Sequence, residues 1–151
     1  SLIRRFSKIH MLYLFDIFVV LALIFHMGNG LYDVDSIVPM YNKFTHFFSA
    51  LVVAFLVLTF LPIIDEDFKK NKAVFLFDVV VTTMALGVVW EFLEWSADNF
   101  FGLNTQLGLN DTMGDLFADT LGALLIATIG WFLIGTKAFK KMIKDIKKEL
   151  D

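Results

Sequence analysis

The chain has no cysteine among its 151 residues, so disulfides, thiolate metal sites and cysteine nucleophiles are excluded. It has only two prolines, which leaves room for long unbroken helices. Arginine is confined to Arg4 and Arg5, so no guanidinium elsewhere can fork onto a carboxylate or phosphate. The P-loop, G-x-G-x-x-G, H-E-x-x-H and G-x-S-x-G patterns are all missing. With a net charge of -3 and no basic face within the apolar part, nucleic acid is not an expected partner.

Apolar residues are what the chain has in excess. They make up 58% of it, eighteen of them Phe, and the mean hydropathy is +0.70. An ordinary soluble domain is about 45–50% apolar. Four stretches approach or exceed the roughly 20 residues that a spanning helix needs: 11–27, 43–64, 73–97 and 110–136. The first is the shortest and contains Asp16. Basic residues precede it, as in a signal peptide, but no small-residue cleavage site follows, so an uncleaved helix is expected. Residues 28–38 read as a loop. The expected fold is all-α: a polytopic membrane four-helix bundle over residues 1–136, followed by a basic amphipathic tail, 137–151. In that tail Phe139, Met142, Ile143, Ile146 and Leu150 recur at helical spacing between lysines, which suits a helix on the lipid surface or a plain positive anchor. Leu2, Phe6 and Ile9 suggest a shorter entry helix of the same kind.

The basic residues orient the bundle. Twelve of the thirteen Lys and Arg fall in residues 1–10, 65–72 and 137–151. Four spans put those three segments on one side and leave Lys43 alone on the other. By the positive-inside rule both termini are expected in the cytoplasm, and the protein in the cell membrane as a multi-pass chain.

Against this background, five carboxylates stand out within apolar helices: Glu91 and Glu94 in the third span, Asp111, Asp115 and Asp119 in the fourth. A charge at mid-bilayer costs about 2.5–3.5 kcal/mol even on the lenient insertion scale, so such groups are functional candidates by default. The topology puts all five in the outer leaflet, with His46 one turn into the second span and His26 ending the first. Glu91, Glu94 and Asp98 follow i, i+3, i+7; Asp111, Asp115 and Asp119 follow i, i+4, i+8, so each set shares a face. Only Lys43 and the two histidines can oppose these charges. Simple salt bridging is therefore expected to fall short, and clustered carboxylates must then be protonated or bound to a cation. The donor set of His46, Glu91, Glu94, Asp111, Asp115 and Asp119 suits a divalent ion of Zn, Mn, Mg, Ca or Fe, with room for two. Asp111 also reads as a helix cap, and Asp98 as a solvated helix end. Trp90 and Trp95 suit an outer aromatic belt. Asp16 and Asp78 lie deeper and face elsewhere. Gly114, Ala118 and Gly122 form a small-residue ladder that admits a neighbouring helix or a second copy.

The D-x-x-x-D-x-x-x-D run of the fourth span is similar to the end of the CDP-alcohol phosphotransferase signature. The D-G-x-x-A-R portion is missing, however, and four spans are too few. A different order of motifs fits better: Asn42-Lys43-x-x-His46-Phe47, Trp90-Glu91-x-x-Glu94, then Asn110-Asp111-x-x-x-Asp115-x-x-x-Asp119-x-x-Gly122-Ala123. It resembles the YjdF-like (DUF2238) membrane proteins and, more distantly, the VanZ-like proteins. The resemblance implies a small helical bundle and covers roughly residues 30–130. Asn42 stands where the family often has Asp, which weakens a role for that position. Glu94 stands where VanZ-like proteins tend to have Gln, which adds a carboxylate.

Three functions are compatible with these residues. The first is a metal site acting by hydrolysis or group transfer on a lipid-like substrate, with Glu91 and Asp115 as the candidate catalytic groups. The second is a proton- or cation-coupled transporter using Asp16 and Asp78 as an inner relay. The third is a non-catalytic membrane subunit.

Overall fold

The computed structural model describes residues 13, 16–26, 34–38, 40–64 and 71–150. It contains α1 (Asp16–His26), α2 (Val34–Ile37), α3 (Tyr41–Ile64), α4 (Lys72–Phe101), α5 (Leu109–Leu133) and α6 (Lys137–Leu150). No strand occurs among the described residues. The expected all-α membrane bundle is what forms: α3, α4 and α5 are each long and apolar enough to cross a membrane. Of the first expected span, α1 is described. The entry helix expected around Leu2, Phe6 and Ile9 lies outside the described residues, as do residues 28–33 and 65–70. Within the expected loop 28–38, residues 34–37 form one helical turn.

Helix ends follow local chemistry. Asn71 caps α4, its side-chain oxygen accepting the Ala73 and Val74 N–H groups at 3.0 and 3.3 Å. That helix runs a turn past the expected position 97 and stops at Gly102, whose φ of +67 suits glycine. α5 stops at Leu133, not 136. There Thr136 takes over as the first capping residue of α6, its hydroxyl accepting the Phe139 N–H at 3.2 Å.

α3 packs most extensively on α5, and the small-residue ladder explains why. A Cβ on Gly122 would lie 2.7 Å from the Phe47 carbonyl oxygen and 2.9 Å from the Ala50 Cβ. A Cβ on Gly114 would lie 2.8 Å from Lys43 Cε. The ladder of Gly114, Ala118 and Gly122 thus seats a helix of the same chain, and its buried face is already filled.

The two ends of the bundle differ. The end where α3 and α5 begin and α4 finishes is here the site end; the end that meets α6 is the tail end. Toward the tail end, Ala54, Leu58, Phe75, Leu76, Val79, Ala123 and Phe139 form an apolar core, with Met142 and Ile143 against it. Part of the apolar stripe of α6 expected to lie on lipid is therefore turned to the protein. The exterior is oily instead: Phe77 and Phe117 are each 65% exposed, and Phe132 is 74%. In water such a surface marks an interaction site or an aggregation hazard; in hydrocarbon it is the expected exterior.

Candidate functional site

The site is built on the first turns of α3. Asp35 of α2 accepts the Asn42 N–H at 3.0 Å and fixes how α3 begins. Asn42 and His46, one turn apart, then share a face turned toward α5. Asn42 Nδ2 donates to both oxygens of Asp115, at 3.3 and 3.2 Å. Lys43 Nζ reaches past Gly114 and donates to Asp115 Oδ1 at 2.9 Å, to the Asp111 carbonyl at 3.0 Å and to the Asp111 carboxylate. All three ammonium protons thus have acceptors. Asp115, fully buried, sits at the centre.

His46 is 3% exposed, and its two nitrogens meet different surroundings. Nδ1 stands 3.4 Å from Asp119 Oδ1, whereas Nε2 is 3.7 Å from Asp115 Oδ1 and has no hydrogen-bond partner among the described residues. Asp119 fits because α4 offers Gly87 opposite it; a Cβ there would run into the Asp119 carboxylate.

α4 brings two glutamates to the same layer and treats them differently. Glu94 Oε1 accepts from Trp90 Nε1 at 2.9 Å and pairs with His26 Nε2 at 3.0 Å. The His26 ring stands edge-on to Trp90 and to His46, with centroids 4.4 and 5.2 Å away. Glu91 is 4% exposed, and neither of its carboxylate oxygens has a hydrogen-bond partner among the described residues. It faces His46, Glu94 and Asp115, with the Thr112 hydroxyl as its polar neighbour.

The expectation that salt bridging falls short holds, since one ammonium and at most two imidazolium ions face five carboxylates. Lys43 meets Asp111 and Asp115, His46 meets Asp119, and His26 meets Glu94. Close α3–α5 packing lets one ammonium serve two carboxylates. Glu91 alone among the five is left without a partner among the described residues. Ligand-type atoms of His46, Glu91 and Asp115 lie within 4.8 Å of one another, as do those of His26, His46 and Glu94. Around a tetrahedral ion with bonds of about 2.0–2.2 Å, ligand atoms stand about 3.3–3.6 Å apart, so either triad would draw in to that spacing to hold one.

Other expectations need correction. Asp111 is more than a cap: Oδ2 accepts the Leu107 N–H at 3.3 Å, while its other oxygen takes Lys43. Asp98 is not a solvated helix end. It accepts the Thr105 N–H and hydroxyl, each at 2.7 Å, and the Gln106 N–H at 2.9 Å, so it clips the 102–108 loop to α4. Gln106 in turn donates to the Thr112 hydroxyl at 2.9 Å. Trp90 points into the site instead of joining a belt; Trp95 is half-exposed as expected. Asp16 and Asp78 are exposed and outside the cluster. Asn42, devalued by its departure from the family pattern, is a central donor. His26, expected at this depth, also faces the cluster, with Glu94 and the His46 ring beside it. Gly87 carries its own signal in the sequence, since a glycine within a helical run marks a close approach.

Beside the cluster lies a cavity of about 390 Å³ between α1, α3 and α4, with His26, His46 and Asp119 at its polar end. No curated protein and no solved structure matches the chain. The family model described as "Predicted membrane protein (DUF2238)" matches residues 1–136, and the chain belongs to that family.

Proposed function

We propose that the cluster binds a divalent cation and uses it for hydrolysis or group transfer on a lipid-like substrate. The observation that carries this reading is the orphaned set at its centre: both Glu91 oxygens and His46 Nε2, buried and unpartnered among the described residues, beside Asp115. Burying polar groups without partners costs free energy that a bound cation would recover. Asp119 accepting from Nδ1 leaves the imidazole lone pair on Nε2, the carboxylate–histidine arrangement that orients metal-ligating histidines. Three protein ligands leave positions open for water and substrate, as in catalytic sites. A mixed set of one nitrogen and carboxylate oxygens favours Zn, Mn or Fe over Mg or Ca. His46, Glu91 and Asp115 would hold the ion, which would supply Lewis-acid activation of water for hydrolysis of an ester or phosphoester. Glu91 would also serve as the general base and return its proton to the departing alcohol.

In this reading Asp119 orients His46, while Asp111 holds Lys43 and Glu94 holds His26. We take both termini to be cytoplasmic and the site to lie in the outer leaflet, a reading that the distribution of Lys and Arg along the sequence supports. Transport is less well supported. Between the site and the tail end lies the apolar core, and the exposed Asp16 and Asp78 do not continue the cluster inward. Metal analysis of the purified protein tests the proposal. An equimolar Zn, Mn or Fe that Glu91→Gln loses supports it; no ion, together with a melting temperature unmoved by added Zn or Mn, refutes it.

A further inference from the structure

The cavity beside the cluster has a shape and an opening that the metal reading does not use. Its lining runs from His46 to Leu56 on α3 and from Thr83 to Leu93 on α4. Ten residues at 1.5 Å each make it about 15 Å long, parallel to the helices. Its volume of about 390 Å³ leaves room for a hydrocarbon chain lying along the helices. The walls below the histidines are apolar: Leu23 from α1, Val53 and Leu56 from α3, Leu86 from α4.

Burial shows where it opens. On α3 the lining residues are buried or half-buried. On α1 and α4 they include Leu23 and Leu86, each 48% exposed, and Leu93, 57% exposed. The mouth among the described residues is therefore lateral, between α1 and α4, on a surface that faces hydrocarbon if these helices span the bilayer. Its polar end is shared with the cluster through His46, whose Nε2 is buried and unpartnered among the described residues.

We infer that this cavity holds one apolar chain of an amphiphile that enters sideways from the bilayer, with its oxygen-bearing head at His26 and His46. The inference rests on the proposed metal reading for what happens to the head, but the seat of the chain stands independently of it. The apolar walls and lateral mouth select such a chain over a water-soluble ligand. Gly87 belongs to the device, because it lines the cavity and leaves space for the Asp119 carboxylate at the polar end.

Trp90 lines the cavity next to His26 and supplies the reporter. With Trp95→Phe and Trp131→Phe in place, it is the sole tryptophan. The probe is stearic acid carrying a nitroxide at carbon 5 or carbon 16, added to the protein in lipid nanodiscs. Saturable quenching by stearate is expected, several-fold stronger from the carbon-5 label than from carbon 16, because the head lies beside Trp90. Val53→Phe with Leu56→Phe, or Leu23→Phe alone from the opposite wall, should weaken it at least fivefold while circular dichroism shows the helices intact. Quenching by stearate without saturation, a stronger carbon-16 label, or indifference to filling the cavity in a folded variant overturns the inference. Glu91→Gln separates the two readings: it should abolish the metal response and leave stearate quenching in place.

Discussion

The site end and the tail end of the bundle are built from the same three long helices and hold together by different means. At the tail end Leu58, Phe75, Leu76 and Val79 fill the interior, and the buried threonines satisfy their hydroxyls within their own helices: Thr59 donates to Phe55 O at 2.7 Å and Thr83 to Val79 O at 2.8 Å. At the site end Thr45 and Trp90 also bond within their helices, but further polar bonds run between helices, from Asn42 and Lys43 to Asp115, from His46 to Asp119 and from His26 to Glu94. The difference teaches where a buried polar group is structural decoration and where it is a joint. A hydroxyl bonded to its own helix adds little to packing, whereas a cross-helix ion pair must be complete or it destabilises.

The sharpest break should come at Lys43. Lys43→Met removes the only lysine among the described residues at that end and leaves Asp111 and Asp115 facing each other. A buried pair broken on one side costs about 3–5 kcal/mol, so unfolding in detergent should shift accordingly. Adding Asp115→Leu to that variant should recover most of the loss, because the fully buried carboxylate that Lys43 opposed is then gone.

Next comes Leu58→Ala at the tail end. Leu58 is 1% exposed and touches the Gly130 backbone region closely, with a Cβ there only 3.0 Å from its Cδ1. Truncating a buried leucine costs about 2–5 kcal/mol in transfer and cavity terms. The expected signature is a lower melting temperature with the metal-induced increment unchanged. A lost increment would show that the two ends are coupled.

Glu91→Leu should move stability the other way. Its carboxylate has no partner among the described residues, so replacing it with a side chain that needs none removes a desolvation penalty of about 1–3 kcal/mol. The metal-free variant should melt higher than the parent. A metal at a hundred times its Kd should stabilise the parent by about 2.7 kcal/mol and this variant not at all. If Glu91→Leu instead destabilises as Lys43→Met does, Glu91 is a structural joint and the metal reading fails.

Much of this contrast was legible before any coordinates, because hydropathy, lysine placement and the i, i+4 spacing of acids act locally. They gave the helices, the common layer of Glu91, Glu94, Asp115 and Asp119, and the addition of His46. The pairing was not legible. Whether Lys43 reaches one carboxylate or two depends on how closely α3 lies on α5, which Gly114 and Gly122 decide in three dimensions. Asn42 departs from the Asp that the family often has there, which weakens its case in the sequence, yet its amide donates to both oxygens of the one carboxylate that is fully buried. Asp98 looked solvated because helix ends generally are; the loop that folds back onto it through Thr105 and Gln106 has no periodic signal. The turn of α6 onto the core was likewise hidden, since an amphipathic stripe fits lipid and protein equally well.

The smallest effect is expected at Thr59, and it bears on the comparison most directly. Thr59 is fully buried in the tail half, and its hydroxyl donates to the Phe55 carbonyl one turn back. That carbonyl sits inside α3 and already accepts from the helical ladder. Thr59→Val therefore removes a donor without stranding an acceptor, and puts a methyl group among apolar neighbours. Stability should change by no more than about 0.5 kcal/mol. Asn42→Leu, a similar loss of polarity at the site end, strips Asp115 of two contacts and should cost several times more. Equal costs for the two substitutions would mean that polar groups are anchored alike along the bundle. In that case the site end would be an ordinary part of the core, and Glu91 would be the single anomaly left to explain.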